Sequence, residues 1–268
     1  MSWPIGIATG GCVERPILEV LDALAAAGVP LVEIGTPPRH FAPWDPAQTL
    51  AVRDRLRDAG MAAASIHAPF GGLLDLSADN PHHRRGAIAA ILTAATALET
   101  VGGRYVVVHP SDVPREGQDV PRRLANCRSA LEELAGALAV HELTLTVETP
   151  LPHLIGGHPD EFAYVLDTLP PSVAVCLDTG HTTLGHVWHD CLRVAGPRLA
   201  HVHATDNHGR FDDHLPPGDG TIDWGEITHT LREVRYAGAI ILELGCTSAP
   251  LPEYFGRALA AARRIFGP

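Results

Sequence analysis

The segment VAVCLDTGH, residues 173–181, is an apolar run that leads directly into Asp178 and His181. An apolar run followed by a longer helical stretch recurs eight times along the chain. The runs are short and rich in Val, Ile or Leu, and they lack strict polar alternation, which is typical of parallel strands buried on both faces. In order, they are Ile5–Ala8, Leu31–Ile34, Ala63–Ile66, Tyr105–Val108, Thr144–Val147, Val173–Leu177, Leu199–Val202 and Ile240–Leu242.

The stretches between these runs are predicted helices. Gly28, Gly60 and Gly102 follow three of them, at the position where a helix end favours a left-handed residue. The predicted helices are Ile17–Ala27, Ala47–Ala59, Pro81–Thr100, Val120–His141, Asp160–Leu169, Leu184–Val194, Trp224–Val234 and Pro252–Ile265.

Eight strand–helix units in 268 residues match the size and count of a single (β/α)8 TIM barrel, an α/β fold. An open doubly wound sheet is disfavoured, since no Gly-x-Gly-x-x-Gly motif follows the first strand. The proline-rich TPPRHFAPW resembles a strand–helix loop more than a domain linker. We therefore expect one domain over residues 1–268.

Composition narrows the class of protein. A net charge of −11 makes the chain a poor partner for nucleic acid, which normally binds a basic surface. The N-terminus has no signal-peptide pattern, and no apolar stretch approaches the roughly 20 residues of a membrane helix. We expect a cytoplasmic protein, because its cysteines are scattered, odd in number and form no CxxC pair. They are Cys12, Cys127, Cys176, Cys191 and Cys246.

Ionisable residues follow six of the eight predicted strands, at the barrel end where TIM-barrel active sites lie. No Lys or Arg accompanies them there, and a buried carboxylate is costly without a cation. The pattern predicts a divalent metal, and mixed His and carboxylate ligands suit Zn, Mn, Fe or Co. The candidate ligands are His67, His109, Glu148, Asp178, His181, His203 and Glu243.

The stretch HVHATDNHGRFDDHLPPGDG, residues 201–220, adds further candidates in the seventh strand and its loop. Asp212 and His214 form an Asp-x-His triplet, which can place two side chains on one metal. His201 is an alternative to His203, because alternate residues of a strand point the same way. His208, Asp213 and Asp219 are expected to face solvent.

The ordered set HAPF, VVHPSD, VETP, CLDTGH, HATDNHGRFDDHLPPGDGTIDW and ILELG resembles the xylose-isomerase-like TIM barrels. These include sugar phosphate isomerases and epimerases, and endonuclease IV. The isomerase branch implies one metal on Glu148, Asp178, His203 and Glu243, with the two glutamates also acting as acid and base. The endonuclease IV branch implies up to three zinc ions, which also use His67, His109, His181, Asp212 and His214. The family's His-x-x-Asp pattern matches His203–Asp206 and favours His203 over His201.

The first hypothesis is a metal-dependent isomerase or epimerase of a small sugar or polyol. A multi-zinc phosphodiesterase or phosphatase is the alternative, supported by the filled ligand list and disfavoured for DNA by the acidic charge. A non-catalytic barrel that binds a metal or a sugar is the third hypothesis. Arg39 and Arg210 are candidates for binding a substrate phosphate, or else ordinary solvated arginines. Apolar helices such as Ala87–Leu98 permit a homo-oligomer.

Overall fold

Eight parallel strands form a closed barrel in chain order, which confirms the predicted fold. The structure, a computed structural model, describes residues 3–245 and 247–267. β8 returns to pair with β1, where Ile240 lies opposite Ile5. The strands are β1 (Ile5–Ala8), β2 (Leu31–Gly35), β3 (Ala62–His67), β4 (Tyr105–Val108), β5 (Thr144–Glu148), β6 (Ala174–Asp178), β7 (Leu199–Ala204) and β8 (Ala239–Leu242).

Helices cover the outside of the barrel and begin and end at recognisable capping residues. Asp45 and Asn80 accept backbone hydrogen bonds at the start of two of them, and a proline follows each cap. Gly60 and Gly102 end these helices with φ of 66° and 86°, as predicted. The helices are α1 (Ile17–Ala26), α2 (Pro46–Ala59), α3 (Pro81–Val101), α4 (Val120–Ala139), α5 (Pro159–Leu166), α6 (Thr179–Leu184), α7 (Trp188–Ala195), α8 (Trp224–Glu233) and α9 (Leu251–Phe266).

The predicted helix Leu184–Val194 begins four residues too early, because α7 starts at Trp188 and a separate short helix, α6, precedes it. The Asp178 carboxylate accepts the backbone N–H of His181 at 2.7 Å and starts α6 directly at the end of β6. The break follows at His186, whose φ of 53° cannot continue a right-handed helix. This arrangement holds His181 within one turn of the strand end.

The apolar side chains of α3 pack into the core. Ala87, Ile91, Ala94 and Leu98 are all buried, so this face of the helix is covered within the chain. The apolar character of α3 is thus explained by packing on the barrel, and a homo-oligomer stays a prediction.

Four of the cysteines, Cys12, Cys127, Cys176 and Cys191, are buried, while Cys246 lies outside the described residues. In the part of the chain that the structure describes, no helix has the length and apolarity needed to cross a membrane.

Candidate metal centre at the carboxyl end of the barrel

Four predicted ligands meet at the carboxyl end of the barrel. Three of them lie in β5, β6 and β7, and the fourth follows β8 directly. Each of Glu148, Asp178, His203 and Glu243 offers one ligand atom, and these atoms all lie within 4.8 Å of one another. His203 Nδ1 lies 3.2 Å from Glu148 Oε1 and 3.4 Å from Glu243 Oε2. We call these four residues the quartet.

The quartet contains buried polar atoms without partners. Among the described residues, Glu148 Oε1, Asp178 Oδ2 and His203 Nδ1 are buried and make no hydrogen bond. Native proteins leave few such atoms, because each costs desolvation energy. Burial raises the pKa of Asp178 to about 6. The negative charges of Asp212 and of the two glutamates of the quartet also raise this pKa, and the charge of His181 acts to lower it. These mixed carboxylate and imidazole donors fit a divalent cation such as zinc or manganese.

Glu33 on β2 sets the orientation of His203. The Nε2 atom of His203 lies 3.0 Å from Glu33 Oε1, so its Nδ1 atom faces the quartet. A carboxylate on the far nitrogen fixes the tautomer of a metal-binding histidine. Burial acts to raise the pKa of Glu33, but the charge of His203 and hydrogen bonds from His203 and His201 hold it well below its usual value.

The carboxylate of Glu33 also organises the barrel interior below the quartet. Ser65 donates a hydrogen bond of 2.6 Å to Glu33 Oε2, and His201 Nε2 lies 3.2 Å from the same oxygen. His201 is therefore a partner of Glu33 deeper in the barrel. Sequence reasoning missed Glu33, although a carboxylate inside the apolar run LVEIG, residues 31–35, was an available signal.

His67 and His109 form a second group with Glu148. Their Nε2 atoms lie 3.1 Å and 3.2 Å from Glu148 Oε2, so this carboxylate is shared with the quartet. Burial acts to lower the pKa of His67, but the hydrogen bond and charge of Glu148 raise it to about 9. The ring of Phe70 stacks on His109 with centroids 4.1 Å apart.

His181, Asp212 and His214 form a third group beside the quartet. Asp212 Oδ2 lies 3.2 Å from His181 Nε2 and 2.9 Å from His214 Nε2. Burial acts to raise the pKa of Asp212, but hydrogen bonds from both histidines lower it below its usual range. Burial acts to lower the pKa of His214, but Asp212 and the charge of Glu243 raise it to about 10. The structure thus brings all nine predicted ligands together at one mouth.

The loop after β7 is held by Asp206. Its carboxylate accepts hydrogen bonds of 2.8 Å from the Gly218 amide and from the Trp224 indole. Its backbone pairs with Leu215, the residue after His214. Asp206 therefore fixes the loop that carries Asp212 and His214. The expected solvent-facing residues His208 and Asp219 are exposed, whereas Asp213 is half-buried and accepts the His208 amide at 2.9 Å.

A cavity of about 760 Å³ opens beside the quartet, between the loops that follow β1, β2, β3 and β8. Glu243 lines it, and its side chain is 18% exposed, against 1% for Glu148 and 0% for His203. Glu243 is thus the member of the quartet that opens most to the cavity.

The predicted phosphate-binding arginines do not line this cavity. Arg39 pairs with Glu14 at 2.7 Å on the surface. Arg210 is exposed, with its guanidinium 5.9 Å from the Phe211 ring centroid. The chain also contains no lysine, so neither a lysine anchor for phosphate nor a Schiff-base lysine exists in it.

The closed barrel and the ionisable groups at its mouth define a (β/α)8 protein with a candidate metal centre. The model of the xylose isomerase-like TIM barrel family matches residues 21–265, so the chain belongs to this family. The resemblance stated from the sequence motifs is thereby confirmed.

Two curated relatives represent the two branches that the motifs implied. D-psicose 3-epimerase of Agrobacterium fabrum is 24% identical over 232 residues, which cover 83% of this chain and 77% of that protein. A probable endonuclease 4 of Thermoplasma acidophilum is 25% identical over 196 residues, which cover 67% of this chain and 66% of that protein.

Solved structures share the fold over nearly the whole chain. A D-tagatose 3-epimerase-like protein superposes with a TM-score of 0.85 at 20% identity, covering 99% of this chain and 97% of that one. The IOLI protein, solved with a bound zinc atom, has a TM-score of 0.83 at 15% identity, covering 99% and 98% of the two chains.

Proposed function

We propose that the protein is a divalent-metal-dependent sugar epimerase or isomerase. The observation that carries the proposal is the quartet, in which one glutamate opens to a substrate-sized cavity and the other is buried. The similarity to a psicose 3-epimerase and to a tagatose 3-epimerase-like structure supports this branch of the family.

Each member of the quartet has a role in the proposed reaction. Glu148, Asp178, His203 and Glu243 would hold the cation, which supplies Lewis-acid polarisation of a carbonyl group when it is bound. Glu243 takes or returns the proton on the cavity side of the substrate carbon, and Glu148 serves the opposite side. Asp178 starts α6 and so keeps His181 beside the same site. Glu33 holds His203 in the tautomer that leaves Nδ1 available.

Solvent exchange tests the proposed proton transfer. The metal-loaded protein is incubated in D₂O with a panel of keto-sugars, and we expect deuterium at a carbon next to the carbonyl group. Glu243→Gln should keep its circular dichroism spectrum and lose exchange by at least 100-fold, as removal of a general base does. Exposed Glu133 provides the matched control, Glu133→Gln, with unchanged exchange. Full exchange in Glu243→Gln would refute the role of this glutamate.

Phosphoester hydrolysis is the second candidate function, favoured by one specific observation. Glu148 is shared between the quartet and the pair His67 and His109, which is the arrangement expected of a bridging carboxylate in a multi-metal site. Among the described residues, the cavity offers no arginine to the part of a phosphoester that lies beyond the metal centre. Elemental analysis decides between the two, because one metal per chain rules out the three-zinc hydrolase.

A further inference from the structure

The cavity beside Glu243 is larger than a proton transfer on one sugar ring requires. Its volume of about 760 Å³ lies in the range of roughly 300–1,000 Å³ that holds ligands of drug size. It adjoins the candidate metal centre, because Glu243, His67 and His214 form part of its wall. A ligand bound at the quartet would therefore extend into this space.

The outer wall of the cavity is apolar and partly aromatic. Trp44, Phe70 and Val13 line it, and they are 61%, 47% and 44% exposed. Clustered, exposed apolar side chains on a soluble domain mark binding sites, since leaving them in water is unfavourable. The rings of Trp44 and Phe70 offer flat surfaces on which another ring can stack.

The inner wall is formed by small residues and prolines, so the cavity is preformed. Gly10 and Gly35 approach so closely that a Cβ atom on Gly35 would lie 2.2 Å from the Gly10 Cα. Pro37, Pro38 and Pro69 complete this wall, and each restricts the backbone of its loop. A rigid apolar cavity loses little conformational entropy when an apolar group enters it.

The charges that line the cavity disfavour an anionic ligand. They are the carboxylates of Glu33 and Glu243 and the rings of His67 and His214, and each of these two histidines is already paired with a carboxylate of its own. Within the described residues no arginine lines the cavity, and Arg39 on the adjacent loop is paired with Glu14. A phosphate group would meet carboxylates here without the guanidinium partner that it normally uses.

We infer that this cavity is a subsite for an apolar substituent, above all an aromatic ring, carried by an unphosphorylated sugar substrate. The inference rests on the proposed function, because it specifies which sugars reach the quartet. The sugar part lies at Glu243, and the substituent lies between Trp44 and Phe70.

Paired glucosides test the subsite directly. Methyl and phenyl β-D-glucopyranoside share one sugar and differ in the substituent, and glucose 6-phosphate tests the phosphate. Their affinities for the metal-loaded protein are measured by calorimetry and by the change in tryptophan fluorescence, which reports on Trp44 because the other tryptophans, Trp3, Trp188 and Trp224, are buried away from the ligand. We expect the phenyl glucoside to bind at least ten-fold more tightly than the methyl glucoside, and the phosphate to bind more weakly than either.

Variants locate the binding preference within the molecule. Trp44→Ala should reduce the ratio of phenyl to methyl affinity below three, whereas Trp44→Phe should retain most of it. Tyr164→Ala, at an exposed aromatic residue outside the cavity, is the matched control and should keep the full ratio.

Equal affinities for the two glucosides, or tighter binding of glucose 6-phosphate, would overturn the inference. A second outcome would also overturn the inference. If the parent protein is a dimer in sedimentation, and Trp44→Ala becomes a monomer that keeps the phenyl preference, the surface around Trp44 joins two copies of the chain. Deuterium exchange into the ring-oxidised keto derivatives of both glucosides separates the two proposals. A phenyl preference without exchange supports the subsite and contradicts the proposed function, whereas exchange without a preference contradicts the subsite alone.

Discussion

The two halves of the barrel mouth carry different kinds of residue at the carboxyl ends of their strands. On the side of β5 to β8, the quartet places three carboxylates and one imidazole within 4.8 Å of one another. On the side of β1 and β2, the chain continues into Gly10, Gly35, the prolines and Trp44, which form a largely apolar wall. The β5–β8 half would hold the metal and transfer the proton, whereas the β1–β2 half would select the substrate.

Glu148→Gln should have the largest effect, because this residue belongs both to the quartet and to the group that contains His67 and His109. Its carboxylate contacts His203 at 3.2 Å and His67 at 3.1 Å. We expect proton exchange to fall by about 1,000-fold or more, since acid–base catalysis and a ligand charge are lost together. Exchange kinetics and metal content measure the effect, and retention of both would show that the ionisable half does not work as proposed.

Glu33→Gln should weaken metal binding without touching the quartet itself. Glu33 lines the apolar cavity but holds His203 from behind, so it links the two halves. Partners of metal-binding histidines typically contribute about 10–100-fold to affinity, and we expect a loss in this range. Competition with a chromophoric chelator measures the affinity, and Glu19→Gln on the surface is the control. Unchanged affinity would show that Glu33 does not orient His203.

Metal affinity should rise with pH because the ionisable half holds protons when no metal is bound. The pKa of His67 is raised to about 9 and that of His214 to about 10, chiefly by Glu148 and Asp212 against the effect of burial. Both histidines are therefore protonated at neutral pH, and their positive charges beside the quartet oppose the binding of a cation until they release their protons. We expect the apparent affinity to increase at least ten-fold between pH 6 and pH 8. Calorimetry in buffers of different ionisation enthalpy should detect the released protons, and a flat profile would contradict these pKa values.

Gly35→Ala should destabilise the apolar half. The added Cβ atom would lie 2.2 Å from the Gly10 Cα, and backbone cannot move aside cheaply. We expect the free energy of unfolding to fall by about 1–3 kcal/mol, as overpacking does. Gly86→Ala on α3 is the matched control, because its Cβ atom would meet nothing within 4 Å and alanine favours a helix. Equal unfolding midpoints would show that the two loops can separate.

Arg39→Ala should have the smallest effect. Its ion pair with Glu14 is exposed, and surface pairs contribute about 0–1 kcal/mol. We expect exchange within two-fold of the parent protein, with no change in the discrimination against phosphorylated sugars. If this variant lost the binding of a sugar phosphate, Arg39 would be a phosphate ligand, and the β1–β2 half would not be the apolar half that we propose.

The sequence predicted the ionisable half better than the apolar half. Each ligand of the quartet follows directly on an apolar run, and strands β5, β6 and β7 extend one or two residues beyond their predicted ends to include Glu148, Asp178 and His203. Trp44 and Phe70 carry no such signal, because they lie in separate loops that meet only when the barrel closes. One domain over residues 1–268 stays a prediction.

Local pattern was sufficient for the barrel, because parallel strands buried on both faces need apolar runs and the active end follows each run. It was also sufficient to predict nine ionisable residues at one mouth. Only the tertiary structure decides that His203 faces the quartet through Nδ1, that Glu33 and His201 lie beneath it, and that Glu243 opens to the cavity. These features depend on side-chain contacts between strands as far apart in the sequence as β2 and β7, which periodicity along the chain does not encode.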